Sequence, residues 1–386
     1  MRRTQPTTAS KPSLKAKAAH SWQRVSEGLE LHQLWSQFER DARSSYRLYS
    51  AGLSERQAEQ SRRQRAWYLF KALFWAIIEK LSPARRVLLL LGLILLIVPS
   101  AGFSYSGKAG DVRVLELDLH VWGGLLIFIV LLLELADRVV MKRDLEIAKD
   151  IQTWLLPGAP LQIPGYGIAH ATRPANTVAG DYYDVIIRPE ASPNEDRVLF
   201  VVADVAGKSI PAAMLMATFQ ASLRTLSNGR VPLAQLVADL NRYACSNSQG
   251  GARFTTAFLA ELNPATGELA YVNAGHNLPI LRRRSAVVER PEAGGIPIGI
   301  LAGAAFEVGT TRLDSGDWLV IFTDGMVEAM NATGEEYDEP RLVRVVDRGA
   351  GLTPAELLHG LLAELDEYVG NTPQYDDMTC LLLKSA

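Results

Sequence analysis

Five aspartates stand at the ends of short apolar runs: Asp181 opens "DYYDVIIR", Asp204 closes "RVLFVVAD", Asp324 closes "GDWLVIFTD", and Asp376 and Asp377 open "DDMTCLLLK". One aspartate at a strand end, often next to glycine, is ordinary turn chemistry. Several at one rim are different, because carboxylates crowded in a partly dry site repel by roughly several kcal/mol unless cations sit among them. Ligands that are all oxygen select hard ions such as Mg²⁺ or Mn²⁺. Two such ions can hold a hydroxide and polarise a phosphoryl oxygen, which hydrolyses phosphate esters with no covalent enzyme intermediate.

The elements that must position these groups are short strands. The segments "DYYDVIIR" and "RVLFVVAD" are β-branched and aromatic, and "PEASPNED" between them is turn chemistry. They read as an antiparallel hairpin whose turn centres near Ser192 and Pro193, which sets Asp181 opposite Asp204. No long-range assumption is needed for that pair. Asp324 and the Asp376–Asp377 pair join the same rim only if their two strands are neighbours.

The segments "VAGDYYDV", "ADVAGKSIPAAMLMA", "NAGHNLP", "FTDGMVEAMN" and "DDMT", in that order, resemble the motifs of PPM-type metal-dependent serine/threonine phosphatases, in their bacterial SpoIIE/RsbU-like branch. The resemblance covers roughly residues 145–386 and includes "LEIAKDIQTWLLP", similar to the helix that precedes the domain in that family. It implies an α+β fold, a four-layer αββα sandwich of two antiparallel sheets with helices outside. It implies two divalent cations, Mn²⁺ or Mg²⁺. Carried over by motif, Asp204 would bridge both ions, Asp181 and the Val205 carbonyl would complete one, and Asp324 and Asp376 the other. Asp377 stands beside the last ligand, and which of the two aspartates binds stays open. The implied substrate is phosphoserine or phosphothreonine on a partner protein, of the small anti-sigma-factor-antagonist kind. Two positions depart from the family pattern. Ala179 replaces a glycine, at a cost of about 1 kcal/mol if that backbone needs a positive φ. Ser209 also replaces a glycine, and could cap a helix starting at Pro211.

Two other residues have competing readings. His276 in "VNAGHNLP" is either a general acid or a histidine that ties a turn together, the second favoured by Asn273 and Asn277. Lys208 either meets substrate phosphate or is a solvated charge. The intact set Asp181, Asp204, Asp324 and Asp376 argues against a catalytically silent docking module, and a hydrolase of small phosphate esters is the other alternative.

The rest of the chain reads as an anchor. Residues 1–86 carry 17 Lys and Arg against 7 Asp and Glu, although the whole chain of 386 residues has a net charge of −2. A basic front of this kind fits a membrane surface or nucleic acid, and its place just before an apolar run favours the membrane and no nucleic acid. Residues 1–20 read as a disordered tail and 21–83 as a basic helical region. Residues 84–137 read as a transmembrane hairpin with spans at 87–103 and 119–137. Arg85, Arg86, Arg138, Lys142 and Arg143 flank it, which places the N-terminus and the catalytic part in the cytoplasm, at the inner membrane that the family implies. Residues 138–156 read as a helical signalling linker with heptad-like spacing that could pair two copies into a homodimer. Residues 157–386 are the phosphatase domain. Cys245 and Cys380 make no disulfide framework.

Overall fold

Pro99 decides where the first apolar run stops being helical. Proline has no amide hydrogen to donate, and its ring pushes the preceding residue out of the helical region. The helix Pro83–Ile97 accordingly ends with Val98 extended, at φ −70° and ψ 128°. The computed structural model describes residues 75, 78, 80–99, 101–106, 112–158, 160–188, 196–247 and 253–386, with 101–117 described by backbone alone. Beyond Pro99 the chain forms a two-stranded hairpin, β1 (Ala101–Ser106) and β2 (Val112–Leu117), with Ala101 opposite Leu117. The expected span 87–103 is therefore corrected. Its helix has 15 residues, about 22 Å at 1.5 Å each, and residues 101–103 are strand.

The second apolar run belongs to one continuous helix, Leu119–Leu155, of 37 residues. It is long and apolar enough to cross a membrane. It runs unbroken through the boundary expected at residue 137 between span and linker. The two apolar helices meet at glycines: a Cβ on Gly123 would lie 2.8 Å from the Gly92 carbonyl oxygen. Arg85 Nη1 pairs with Glu134 Oε2 at 3.1 Å across the same contact. The expected tail, nearly all of the basic region 21–83 and the turn at Ser192 and Pro193 lie outside the described residues.

The chain divides into two compact units, 1–136 and 137–386. The second holds strands β3 (Tyr166–Arg173), β4 (Tyr182–Arg188), β5 (Arg197–Val205), β6 (Thr255–Leu262), β7 (Glu268–Ala274), β8 (Ile280–Arg282), β9 (Val288–Glu289), β10 (Gly294–Gly295), β11 (Gly309–Arg312), β12 (Trp318–Phe322) and β13 (Met378–Ser385). One sheet runs β10-β7-β6-β5-β4, with β11 also on β7, and the other runs β3-β13-β12-β8-β9. All pairings in them are antiparallel except β10 with β7.

The period of two along each strand explains the layering. On β5, Val198, Phe200 and Val202 face one way and pack with Leu319, Ile321, Leu381 and Leu383 of the other sheet. Leu199, Val201 and Ala203 face the opposite way, onto Met216, Phe219 and Leu223 of the helix Ser209–Ser227 and Leu236 and Leu240 of the helix Leu233–Asn247. On the far side, Cys380 and Leu382 of β13 pack with Leu342 and Val346 of the helix Glu339–Arg348 and Leu357 and Leu361 of the helix Pro354–Val369. Helices, sheet, sheet, helices: this is the expected αββα sandwich. Strands covered on both faces have no polar alternation, which is why "RVLFVVAD" reads as a near-continuous apolar run.

Candidate metal centre

The site grows from two strand pairs. In the β4–β5 hairpin Tyr182 pairs with Ala203, so one step further places Asp181 beside Asp204, as the local pairing requires. In the second sheet Phe322 of β12 pairs with Cys380 of β13, so Asp324 leaves β12 where Asp376 and Asp377 enter β13. Glycines let the four segments close up. A Cβ on Gly180 would lie 3.1 Å from the Val205 carbonyl oxygen, and one on Gly325 only 2.1 Å from the Asp377 carbonyl oxygen. Any side chain at 325 would drive the Asp324 and Asp376 segments apart.

One hydroxyl stitches the sheets together. Thr323 Oγ1 donates to Asp181 Oδ2 at 2.8 Å and accepts from the Thr379 amide at 2.9 Å. Asp181 is thus held at the sheet-to-sheet seam, almost fully buried. Gln152 fixes the segment just before it: its side-chain Nε2 donates to the Ala179 carbonyl at 2.7 Å, and its Oε1 accepts from the Ala179 amide at 2.9 Å. Sequence reading singled out neither Thr323 nor Gln152. Thr323 abuts Asp324 in "FTDG" and so carried a weak signal, whereas nothing local marks Gln152.

The electrostatics show crowding. Burial, followed by repulsion from Asp324, Asp376 and Asp377, pushes Asp204 up to about 7. Burial and then Asp204 hold Asp181 well above the usual carboxylate range, against the hydrogen bonds from Thr379 and Thr323. Asp324 is raised by burial and by Asp376. Lys208 offsets part of this, with Nζ 2.8 Å from Asp376 Oδ2 and donating to the Tyr375 carbonyl at 2.7 Å. That pairing raises the Lys208 pKa. Sequence reading left Lys208 between phosphate contact and solvated charge, and the structure pairs it with the acidic rim.

The two adjacent aspartates differ sharply. Asp377 accepts from the Ala175 amide at 2.7 Å through Oδ1 and from the Gly180 amide at 2.6 Å through Oδ2, so both of its oxygens are engaged by backbone. Asp376 is half-buried and reaches Lys208. His276 is buried, and burial pulls its pKa down to about 4, so the ring is neutral. Its Nδ1 lies 3.0 Å from Thr256 Oγ1, its backbone amide donates to Asn273 Oδ1 at 2.7 Å, and its carbonyl accepts from Asn273 Nδ2 at 3.0 Å. Among the described residues its Nε2 finds no hydrogen-bond partner, although the Phe322 backbone lies close enough to oppose the effect of burial. This is the turn-tying role, one residue removed from the rim through Thr256, which pairs with Asp204 in the sheet.

Both departures resolve. Ala179 is not among the residues of positive φ, so the cost expected there does not arise. Ser209 caps nothing: the helix begins at Ser209 itself with Lys208 at its N-cap, and no side chain closes it. Ser209 instead takes φ 66°, the left-handed conformation that favours glycine.

The donor set, oxygen throughout, fits a hard divalent cation. Among the described residues no three acidic or histidine side chains stand at metal-ligand spacing as placed, so binding would draw the carboxylates inward. Residues 194–385 match the family model described as Stage II sporulation protein E (SpoIIE). These residues form a SpoIIE-type domain of the PPM class. The SpoIIE-type domain and its surroundings are similar to Protein IcfG of Synechocystis sp., 26% identical over 269 residues that cover 63% of this chain and 41% of that protein. They are similar also to phosphoserine phosphatase RsbU of Bacillus subtilis, 25% identical over 248 residues, 63% of this chain and 70% of that one. The chain thus spans less than half the length of IcfG. Among solved structures, the PP2C domain of SiaA from Pseudomonas aeruginosa shares the fold, with a TM-score of 0.56 at 22% identity over 64% of this chain and 98% of that one.

Proposed function

We propose that the chain is a membrane-anchored protein phosphatase that hydrolyses phosphoserine or phosphothreonine on a partner protein with two bound divalent cations, Mn²⁺ or Mg²⁺. The observation that carries this is the rim itself: four strand ends bring Asp181, Asp204, Asp324 and Asp376 together until burial and repulsion push Asp204 up to about 7. A fold has no structural use for that cost, and cations remove it. The name of RsbU, a phosphoserine phosphatase, supports the substrate class.

In this reading Asp204, Asp181 and the Val205 carbonyl would hold one ion, and Asp204, Asp324 and Asp376 the other. The ions would supply an activated water and a Lewis acid for the phosphoryl oxygen. The protein's own groups do the positioning. Thr323 fixes the Asp181 carboxylate, Gln152 fixes the backbone at Ala179, and Asp377 clamps the Ala175 and Gly180 amides, leaving Asp376 as the ligand of the pair. Lys208, released from Asp376 by a cation, is within the same rim to meet substrate phosphate.

Anchoring is supported by the helix Leu119–Leu155, by its close glycine contact with Pro83–Ile97 and by the Arg85–Glu134 pair, which neutralises the acid in the apolar run. Exposed Val139, Val140, Met141, Ile147 and Ile151 on the same helix support a homodimer through residues 138–156. The likeness to the SpoIIE family supports a partner of the anti-sigma-factor-antagonist kind. The test is phosphate release from a phosphoserine protein in Mn²⁺, in Mg²⁺ and in chelator, beside an Asp324→Asn variant. Release that needs metal and is lost in the variant is expected. No release in either metal from folded full-length protein would move the reading to a silent docking module.

A further inference from the structure

Beside the acidic rim lies a cavity of about 230 Å³ that extends past Asp376 and Lys208 to Glu328 and Met330. Its wall is apolar, with Met330, Val369, Pro373 and Met378, and its mouth carries Glu328 and Asp376. A metal-binding rim would neutralise Asp324 and Asp376, but not Glu328, four residues beyond. Among the described residues no hydrogen bond or ion pair engages the Glu328 carboxylate. Desolvation, then Asp324, Glu336 and Asp376, hold its pKa up against the opposing charge of Lys208, so carboxylates outnumber cations around it.

Lys208 shows what kind of group fits. Its side chain lines the cavity, and its ammonium finds the Asp376 carboxylate at 2.8 Å and the Tyr375 carbonyl at 2.7 Å. An apolar wall that takes methylenes, ending in oxygen acceptors, suits a side chain with an aliphatic stem and a cationic head. With Asp376 committed to a cation, Glu328 is the acceptor left over.

We propose that this cavity seats a lysine or arginine side chain of the phosphoprotein substrate, close in sequence to the phosphorylated residue, with its charged head on Glu328. The proposal rests on the phosphatase reading and adds to it a specificity residue, Glu328, that touches substrate without taking part in the chemistry. It selects phosphoserine sites in a basic context over acidic ones.

The test uses the full chain in detergent with Mn²⁺. Phosphoserine peptides carry Lys, Ala or Glu at each of the three positions on either side, and p-nitrophenyl phosphate serves as a substrate with no side chains. At one position, Lys raises kcat/KM about fivefold over Ala, mainly through KM, the upper range for a partly exposed ion pair. Glu at that position lowers it. Glu328→Gln abolishes the preference, Glu328→Lys reverses it, and Met330→Trp, which fills the cavity, abolishes it too. All three variants turn over p-nitrophenyl phosphate like the parent. A parent with no preference at any position, or one that Glu328→Gln leaves intact, overturns the proposal while p-nitrophenyl phosphate turnover keeps the phosphatase reading standing. Loss of turnover on every substrate in the parent overturns both.

Discussion

Replacing Asp204 by asparagine removes one negative charge at nearly constant volume, and the structure says that the metal-free protein gains stability from it. Asp204 is pushed from 3.8 to about 7 by burial and by Asp324, Asp376 and Asp377. At 1.36 kcal/mol per pKa unit, that shift corresponds to about 4 kcal/mol of strain in the ionised, metal-free site. Relaxation of exposed Lys208 and half-buried Asp376 takes up part of it, so ~2 kcal/mol is expected to survive, or a rise of about 4–8 °C in Tm for a domain of this size. The sign follows from the raised pKa. Asp204 binds its proton more tightly folded than unfolded, so its contribution to stability is full below pH 3.8 and is lost as pH rises through about 7. The assay is scanning calorimetry of residues 137–386 in chelator. At pH 8 the Asp204→Asn variant melts above the parent; near pH 4 the two coincide; Mn²⁺ then raises the parent's Tm and leaves the variant's unchanged. A variant that melts at or below the parent at pH 8 in chelator would refute the claim that the carboxylates strain one another.

The remaining predictions concern neighbours of the rim. Asp376→Asn weakens Mn²⁺ binding by at least tenfold in titration calorimetry, whereas Asp377→Asn keeps metal affinity and loses about 1–3 kcal/mol of stability, because an amide cannot accept from both the Ala175 and Gly180 amides. Gln152→Ala strips both bonds from the buried Ala179 backbone, costing about 3 kcal/mol in urea unfolding and speeding amide exchange at residues 178–181. Gly325→Ala sets a Cβ against the Asp377 carbonyl, and both stability and Mn²⁺ affinity fall, the former by about 1–3 kcal/mol in the same unfolding measurement.

What the sequence made legible follows from range. Asp181 and Asp204 belong to one hairpin, so strand period and a nearby turn were enough to pair them. Asp324 and Asp376 stand at the two ends of a segment that holds three helices, Asp324–Val327, Glu339–Arg348 and Pro354–Val369, and their meeting needed the β12–β13 pairing, which motif resemblance supplied and local pattern could not. Thr323 and Gln152 are single polar residues whose partners lie 142 and 27 positions away, so no spacing announced them. Ser209 looked like a helix cap because serine favours that place, but the helix starts one residue earlier than the cap reading needs, with Ser209 inside it at φ 66° and Lys208 at the N-cap. In the first apolar run, lack of charge in 87–103 concealed Pro99, whose missing amide outweighed seventeen uncharged residues in ending the helix.

The measurement that bears most directly on the account is a crystal of residues 137–386 grown with Mn²⁺ and measured at an energy where manganese scatters anomalously. The account predicts two anomalous peaks at the rim, both within bonding distance of Asp204, one also ligated by Asp181 and the Val205 carbonyl, the other by Asp324 and Asp376, with Asp377 still on its two amides. A rim with no peak at saturating Mn²⁺, or with the metal on Asp377 in place of Asp376, would contradict it.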